Sequence, residues 1–318
     1  MALNYPFWVN DFDRVKDHRI HYPLSSKIFE HPVAFWYGSK KGKPVKKLEK
    51  SLKRFLKRTN PNLPYFVIYN LPNRDMGHYS KGGAKDASEY LLFIHDFCEG
   101  IKGHKPIIIY EPDALPHTTH MEPIQAEYRL NLIREGLRVL TEESEAYVYV
   151  DVGHSNWLTP KEAASLLDNV SNDKVRGFAV NVSNYRSTDE SLEWSLKVCE
   201  HRPNDNFVID TSRNGNGPLG NEWCNPPGRA LGIPPTCNTG VEQCDAFLWV
   251  KIPGESDGKR NKGPKAGKFW GSMAEELVSN SVSSPSFWAH RCQKRGYIVY
   301  TPIDKDCMYC GLKNDRSI

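Results

Sequence analysis

The sequence lacks long hydrophobic runs and any large excess of charge. Its wholly apolar stretches, such as residues 65–69, are far shorter than the roughly 18 residues that a membrane-spanning helix needs, so no membrane partner is expected. Lys and Arg total 42 and Asp and Glu total 38, which leaves a net charge of +4. No basic block is long enough to indicate a nucleic-acid partner.

The first residues do not show the pattern of a secretory leader. Cysteine is sparse as well. Residues 1–12 do not show the charged-then-apolar layout of a signal peptide, which leaves an intracellular protein or one whose leader was removed. The 8 cysteines are thinly spread over 318 residues. Five of them lie in loop-like contexts where disulfides are common, namely Cys224, Cys237, Cys244, Cys307 and Cys310.

Short apolar runs alternate with amphipathic helical patterns along most of the chain. The runs predict strands at 32–38, 65–69, 106–110, 146–152, 175–182, 206–210 and 246–251. The 3.6-residue periodicity predicts helices near 45–59, 87–101, 124–140, 160–170, 189–201 and 270–279. Strands that alternate with such helices imply parallel βαβ units, so the fold class is α/β. We favour a barrel over an open doubly wound sheet because polar residues follow so many strands.

Polar side chains follow six successive predicted strands, where a parallel α/β fold places its active site. The chief ones are Asp75, Glu111, Asp113, Asp151, His154, Trp157, Asn181, Asp210, Arg213, Lys251, Glu255 and Asp257. Taken alone, Asp151 or Ser212 is best interpreted as a helix N-cap or a turn residue. The pattern as a whole predicts a polar cleft.

The motifs narrow the chemistry of this cleft. The chain has no G-x-S-x-G nucleophile motif and no H-E-x-x-H zinc motif. A formal G-x-G-x-x-G at Gly215, Gly217 and Gly220 contains Pro218, and residues 221–228 cannot open the helix that nucleotide binding requires. Paired Asp residues with flanking Trp instead suit cleavage of a glycosidic bond, in which one carboxylic acid protonates the leaving oxygen and a carboxylate helps water attack.

At these motifs the chain closely resembles glycoside hydrolase family six, the cellulases that invert at the anomeric carbon, and among them the short-loop endoglucanases. The matching blocks, in family order from about residue 30 to about residue 280, are YNLPNRD, YSKGG, IYEPDAL, DVGHSNWL, NVSNY, DTSRNG, WCNPPGRALG and WVKIPGESDG. The resemblance implies a distorted, incompletely closed parallel (β/α) barrel of about seven strands, similar to a TIM barrel. It also implies that residues 1–282 form the catalytic domain.

The resemblance carries roles over position by position. Asp113 matches the general acid, Asp75 matches the neighbour that raises the pKa of this acid, and Asp257 matches the carboxylate proposed as base. The positions that match sugar-binding residues are Trp36, Tyr69, Ser80, His154, Trp157, Asn181, Trp223, Lys251 and Glu255. Core packing is the alternative for the tryptophans, above all Trp36, and a structural role is the alternative for His154. Trp249 is expected in the core, and Arg213 is expected to brace the carboxylates.

The cysteines depart from the family pattern. Met76 stands where family members often have Cys, and residues 259–261 (KRN) follow the GESDG block where another Cys is common. Cys224 therefore lacks its expected partner. Cys237 and Cys244 remain candidates to pair with each other, or one of them with Cys224.

The connection after Asp257 is short, which predicts an open cleft and endo cleavage. We expect hydrolysis of β-1,4-glucosidic bonds in cellulose or other β-glucans by a monomer that needs no metal or organic cofactor. Secretion is expected because a polymer cannot enter most cells. The alternatives are an exo-acting cellobiohydrolase, a hydrolase of a different β-glucan, and a non-catalytic glycan-binding protein on the same fold.

Residues 283–318 lie beyond the family blocks. We expect an extension that packs on the catalytic domain or is tethered to it, with a strand at 296–300. The extension is too short for an ordinary cellulose-binding module. Cys307 and Cys310, with Cys292 and His290 nearby, leave zinc binding as an alternative to a packed or disulfide-pinned extension.

Overall fold

The structure is a computed structural model, and it describes residues 3–9, 21–39, 46–283, 287–291 and 298–302. Seven parallel strands form one sheet in strict sequence order. They are β1 (Phe35–Tyr37), β2 (Phe66–Ile68), β3 (Ile107–Tyr110), β4 (Tyr147–Asp151), β5 (Gly177–Val180), β6 (Asn206–Asp210) and β7 (Cys244–Leu248). The predicted α/β fold with about seven parallel strands is confirmed.

A helix follows every strand of this sheet except β6. The helices are α1 (Leu48–Thr59), α2 (Ala87–Ile101), α3 (Pro123–Glu143), α4 (Pro160–Val170), α5 (Thr188–His201) and α6 (Gly271–Ser283). Local sequence explains their starts: at α4, for example, Thr159 at the N-cap and Glu162 at N3 form a capping box, with Pro160 in the first turn. The β6–β7 connection contains the formal G-x-G-x-x-G and forms no helix, as predicted.

The strands separate two cores because successive side chains point to opposite faces of a sheet. Phe66 and Ile68 pack outward among the helices, whereas Tyr65, Val67 and Tyr69 belong to the cluster inside the curled sheet. Both faces are buried, which explains why the strands are nearly continuous apolar runs in the sequence.

The barrel is incompletely closed between β7 and β1, as the resemblance implies. These two strands form no ladder. The seam is bridged by the Ala34 amide, which donates to the Trp249 carbonyl at 3.1 Å. The Tyr65 hydroxyl also bridges it, 3.0 Å from the Pro32 carbonyl and 3.1 Å from the Trp249 carbonyl. Trp249 is fully buried here, so the prediction that it packs in the core is confirmed.

Strand β7 begins and ends earlier than its predicted range of 246–251. The amides of Val250 and Lys251 donate to the Asp210 carboxylate, at 3.2 and 3.0 Å, and are therefore not available to a strand ladder. This side chain from the neighbouring strand end bends the chain out of the sheet.

The candidate disulfides that the sequence left open among Cys224, Cys237 and Cys244 are not formed. All three are free thiols, as are the other two cysteines of the described ranges, Cys98 and Cys199. Cys244 lies in β7 and packs in the outer core, whereas Cys237 packs against the inner one, so the sheet separates them.

Beyond α6, residues Phe287–Arg291 and Ile298–Pro302 form an antiparallel pair, β8 and β9, which overlaps the predicted strand at 296–300. Cys292, Cys307, Cys310 and the side chain of His290 lie outside the described residues. No helix in the described part is both long and apolar enough to cross a membrane.

Candidate active site

The carboxyl ends of the strands surround an open cavity of about 1020 Å³. Eleven of the twelve predicted site residues line it: Trp36, Tyr69, Asp75, Ser80, Asp113, His154, Trp157, Trp223, Lys251, Glu255 and Asp257. Asn181 does not line the cavity. It is fully buried, and its amide nitrogen donates to the carbonyls of Arg186 and Asp210 at 3.1 and 2.8 Å.

Glu111 ties the end of β3 to the end of β2. Its carboxylate accepts hydrogen bonds from the backbone amides of Asn70, at 3.0 Å, and Leu71, at 3.1 Å. Burial raises the pKa of Glu111 to about 7, although these hydrogen bonds act in the opposite direction. The loop that carries Asp75 is thereby held against the loop that carries Asp113.

Asp210 performs the same task on the other half of the barrel. Its carboxylate accepts from the amides of Ser183 and Ser212, both at 2.9 Å, and from that of Lys251 at 3.0 Å. Because these amides follow β5, β6 and β7, one buried side chain fixes three strand ends. Burial raises the pKa of the Asp210 carboxyl.

Asp151 supports Asp113 directly. Its Oδ1 accepts from the amide of Asp113 at 2.8 Å and from that of Gly153 at 3.1 Å. Its interpretation as a local turn residue is therefore incomplete, and it is not a helix N-cap because Thr159 caps α4. Burial, followed by the nearby Asp113, raises the pKa of Asp151 well above its ordinary value.

Several of these residues have left-handed backbone conformations that non-glycine residues rarely adopt. The φ angles are 57° at Asp75, 48° at Glu111, 66° at Asp113, 66° at Asn181 and 59° at Ser183. Each such residue costs of the order of 1–3 kcal/mol and persists only where the surroundings determine it. The carboxylates of Glu111, Asp151 and Asp210 provide that determination here.

Asp113 and Asp75 form an acidic pair on one wall of the cleft. Burial raises the pKa of Asp113 to about 7, and the neighbouring charge of Asp75 raises it further in the same direction. The pKa of Asp75 is also raised by burial, although its Oδ2 accepts from the Ser80 amide at 2.6 Å. Asp113 is therefore a group that can carry a proton near neutral pH.

Arg74 holds the loop that carries Asp75 and Ser80 against the end of β2. Its Nε donates to the Ser80 carbonyl at 2.9 Å, and its guanidinium lies 4.5 Å from the centre of the Tyr69 ring. Gly38 packs against it: a Cβ there would lie 2.0 Å from the Tyr69 carbonyl oxygen and 2.6 Å from Nη1 of Arg74. Only glycine permits this approach.

Asp257 on the opposite wall is surrounded by donors. Its Oδ2 accepts from Nη1 of Arg213 at 2.9 Å, from the Asn225 amide at 3.0 Å and from the Tyr185 hydroxyl at 3.1 Å. Nζ of Lys251 lies 3.5 Å from its Oδ1. Burial alone would raise its pKa, but Arg213 and then Lys251 bring the pKa below the ordinary value. Arg213 is fully buried and braces the carboxylate, as predicted.

Aromatic side chains form flat surfaces along the cleft. The indole nitrogen of Trp36 donates to the Val250 carbonyl at 2.8 Å. Trp157 lies between His117 and His154, with ring centroids 5.1 and 5.8 Å away. Trp223 is 45% exposed. Burial, followed by the charge of Arg186, lowers the pKa of His154 to about 4, so this histidine is neutral at pH 7.

The cavity also contains residues to which the sequence assigned no site role, among them Arg74, Tyr79, His117, Lys265 and Lys268. His117 lies four residues after Asp113, and its amide donates to the Asp113 carbonyl at 3.1 Å. That spacing alone places it on the same turn, so it was a signal that sequence reasoning could have used. In the part of the chain that the structure describes, no group of three His, Cys, Asp or Glu is placed to hold a metal ion.

An acidic pair and an opposed carboxylate in an aromatic-walled groove constitute the arrangement of enzymes that cleave glycosidic bonds. Residues 13–281 match the profile of glycosyl hydrolases family 6. The chain belongs to that family.

Curated relatives and solved structures agree with this family assignment. The chain is 39% identical to Endoglucanase A of Cellulomonas fimi over 81% of its own length and 56% of that protein. It is 34% identical to Endoglucanase 1 of Streptomyces halstedii, with 80% of each chain covered. The endoglucanase Cel6 of Mycobacterium tuberculosis, solved with a methyl cellobiosyl-4-deoxy-4-thio-β-D-cellobioside, superimposes with a TM-score of 0.82 at 33% identity, over 88% of this chain and 99% of that one. The chain spans about half the length of several curated relatives that it matches.

Proposed function

We propose that this protein is an endo-acting glucanase that hydrolyses β-1,4-glucosidic bonds in cellulose and soluble β-glucans with inversion. The observation that supports the proposal most directly is that the carboxyl groups on the two walls of the cleft favour opposite protonation states. Asp113 has a pKa raised to about 7, whereas the pKa of Asp257 is lowered. An inverting hydrolase needs both a protonated acid and an ionised carboxylate across the scissile bond.

Each carboxyl group then has a role. Asp113 protonates the leaving glycosidic oxygen, because its proton is retained near neutral pH. Asp75 keeps that proton in place through its charge and stabilises the positive charge that develops on the sugar. Asp257 remains ionised and acts as the base toward the attacking water. Tyr69, beneath Arg74, and Ser80, which donates its amide to Asp75, surround the sugar at the cleavage point.

Sugar rings on either side of the cleavage point stack on the tryptophans. Trp36 and Trp223 with Lys251 and Glu255 serve the non-reducing side, and Trp157 with neutral His154 serves the other side. The buried amide of Asn181 is already occupied by backbone carbonyls, so we assign it to holding the loop after β5 rather than to sugar. This assignment differs from the expectation drawn from the sequence.

The endo mode is supported by the length of the connection after Asp257. Only a short 3₁₀ turn, Arg260–Lys262, interrupts it, and relatives with the name endoglucanase match most of the chain. The contacts across the groove are made by side chains: Tyr79 lies against Gly258, where a Cβ would be 2.6 Å from the ring, and the side-chain amide of Asn156 donates to Oδ1 of Asn221 at 3.3 Å. An exo-acting enzyme requires a more extensive roof over the chain, so it is the second candidate.

We further propose a secreted monomer in which residues 1–282 form the catalytic domain, residues 283–318 form an extension, and no metal or organic cofactor takes part. Secretion follows from the size of the substrate. The profile match, which ends at residue 281, supports the boundary.

Viscosity and new reducing ends, measured together on hydroxyethyl cellulose, test the proposal. The wild type should lower the viscosity sharply while it releases few ends, and Asp113→Ala should abolish both changes. Calorimetric titration with cellotetraose should show that Asp113→Ala still binds. Binding without hydrolysis by the wild type would instead establish a non-catalytic glycan-binding protein, and slow viscosity loss with many soluble products would establish exo cleavage.

A further inference from the structure

One rim of the cleft carries an unusual concentration of positive charge. Within ten residues after Gly258 the chain has five cationic side chains, called here the basic segment: Lys259, Arg260, Lys262, Lys265 and Lys268. All five are exposed. Lys265 and Lys268 also line the cavity, beside Lys251 and Glu255.

The backbone of the basic segment is firmly attached to the catalytic wall. The Ser256 amide donates to the Lys268 carbonyl and the Gly267 amide donates to the Ser256 carbonyl, both at 2.9 Å. The amide side chain of Asn261 donates to the Cys224 carbonyl, also at 2.9 Å. The positions of the lysines relative to Asp257 are therefore set by the fold, while their long side chains remain free to reorient.

The positive charge on this rim is only partly compensated. Arg260 pairs with Glu222 at 3.2 Å, whereas the four lysines of the segment form no ion pair with any residue that the structure describes. Asp257 is already engaged by Arg213 and Lys251. Of the other carboxylates, Glu255 lies in the same part of the cavity. Seven cationic groups, with Arg213 and Lys251 included, thus face three carboxylates along this wall.

Neutral glucose units do not need such charge, because aromatic stacking and hydrogen bonds suffice to hold them. Free ammonium groups at a cleft attract anions and raise the local concentration of anionic polymers. The anion that a glucan chain can present here is a carboxylate, carried by a uronic acid unit or by a carboxymethyl substituent.

We propose that Lys265 and Lys268 form a binding site for carboxylate-bearing sugar units on the non-reducing side of the cleft, so that the enzyme favours acidic β-glucans over neutral ones. This inference rests on the proposed function. Each exposed ion pair contributes little, and two together should change the apparent affinity by about fivefold at low salt. Salt should screen the effect because the lysines are exposed.

The test compares two soluble polymers of the same backbone, carboxymethyl cellulose and hydroxyethyl cellulose, at pH 7. Lys265→Gln/Lys268→Gln removes the site without touching the residues assigned to catalysis. Lys50→Gln/Lys57→Gln is the matched control, since it removes the same net charge from exposed positions on α1. Initial rates give kcat/KM for each protein on each polymer, in 20 mM and in 500 mM sodium chloride.

The cleft variant should lose about fivefold in kcat/KM on carboxymethyl cellulose at low salt, through KM, and remain within twofold of the wild type on hydroxyethyl cellulose. The control should resemble the wild type, and high salt should remove the difference. An equal loss on both polymers, an equal loss in the control, or no loss would overturn the inference and leave the proposed function intact. Failure of the wild type to hydrolyse either polymer would overturn both.

Discussion

Asp113 and Asp257 are the same kind of side chain on opposite walls of one cleft, yet their surroundings drive their protonation in opposite directions. Asp113 is partly buried beside another acid, and its pKa is raised to about 7. Asp257 is also buried, but a fully buried arginine lies 2.9 Å away and its pKa is lowered. Burial is common to both, so the sign of the nearest charge decides which one holds a proton.

The groups that hold Asp113 and Asp257 in place differ as well. The loops around Asp113 are held by carboxylates, Glu111 and Asp151, that accept backbone amide hydrogens. Asp257 is held by donors, and its guanidinium partner stacks 4.3 Å from the centre of the Tyr185 ring. The wall that carries Asp113, called here the acid wall, therefore consists of carboxyl groups that resist ionisation. The wall that carries Asp257, called here the base wall, surrounds a carboxylate that resists protonation.

The largest effect should come from removing the two carboxyl groups in turn. Asp113→Asn should lower kcat on cellotetraose by about 10²–10⁴-fold, because a positioned general acid contributes that much. On 2,4-dinitrophenyl cellobioside the loss should be far smaller, since this leaving group needs no proton. Asp257→Asn should reduce kcat on both substrates alike, because water must be activated in either case. Steady-state kinetics on the two substrates measures the difference.

Added azide provides the control for this pair. As a small anionic nucleophile it should restore turnover of the aryl substrate by Asp257→Asn and not by Asp113→Asn. Equal losses on the two substrates for both variants would contradict the division into an acid wall and a base wall.

The next effect concerns stability. Arg213→Leu leaves the buried Asp257 with Lys251, 3.5 Å from its Oδ1, as its remaining cationic partner, and breaking a buried pair costs about 3–5 kcal/mol in the free energy of unfolding. A lowered pKa in the folded state contributes stability that is present above the unfolded pKa and is lost as the pH falls through the folded pKa. Without Arg213 the pKa of Asp257 rises, so the variant should lose less stability on acidification than the wild type, and its deficit should be largest at pH 7. Urea unfolding between pH 3 and pH 7 measures both changes.

Arg213→Leu/Asp257→Leu is the matched control. Removing both members of a buried pair is far less costly than removing one, so the double variant should be more stable than the single one. A double variant that is no more stable than Arg213→Leu would show that Arg213 stabilises the fold by packing rather than by its charge.

Fold and site differ in how far the sequence predicts them. Seven strands and their helices follow from the apolar runs and the periodicity, and ten of the eleven cavity-lining site residues follow from the family blocks, with Trp36 outside them. The end of β7 was misplaced because the Asp210 carboxylate, distant along the chain, takes the amides of Val250 and Lys251. The candidate Cys237–Cys244 pair is not formed, because closeness in sequence does not determine which face of a sheet a side chain occupies. The roles of Glu111 and Asp151 were missed because their partners follow other strands and depend on left-handed backbone conformations that residue types do not reveal.

A moderate effect on the pH profile of activity is expected when Asp75, the partner of Asp113 in the acidic pair, loses its charge. In Asp75→Asn the like charge beside Asp113 is gone, so the pKa of Asp113 should fall by about one unit. Asp113 must be protonated to act as the acid, so activity would then decline at a lower pH on the basic side of the profile. The measurement is kcat/KM against pH from 4 to 9 on cellotetraose. Asp96→Asn, at an exposed position of α2, controls for net charge, and an equal shift in that control would contradict the local interaction.

The last effect should appear in the pH dependence of the stability that Glu111 contributes. Glu111 has a folded pKa raised to about 7, above its unfolded value of about 4.3. A raised pKa contributes stability that is fully present below the unfolded pKa and is lost as the pH rises through the folded pKa. Glu111→Gln cannot ionise, so the stability of the wild type relative to this variant should decline by about 2 kcal/mol between pH 5 and pH 7. Urea unfolding of the two proteins across that range measures the decline. Asp257 should give the opposite dependence of the free energy of unfolding on pH, at acidic pH. A wild-type advantage that grows with pH would mean that the amides of Asn70 and Leu71 outweigh burial, and that the two walls are built alike.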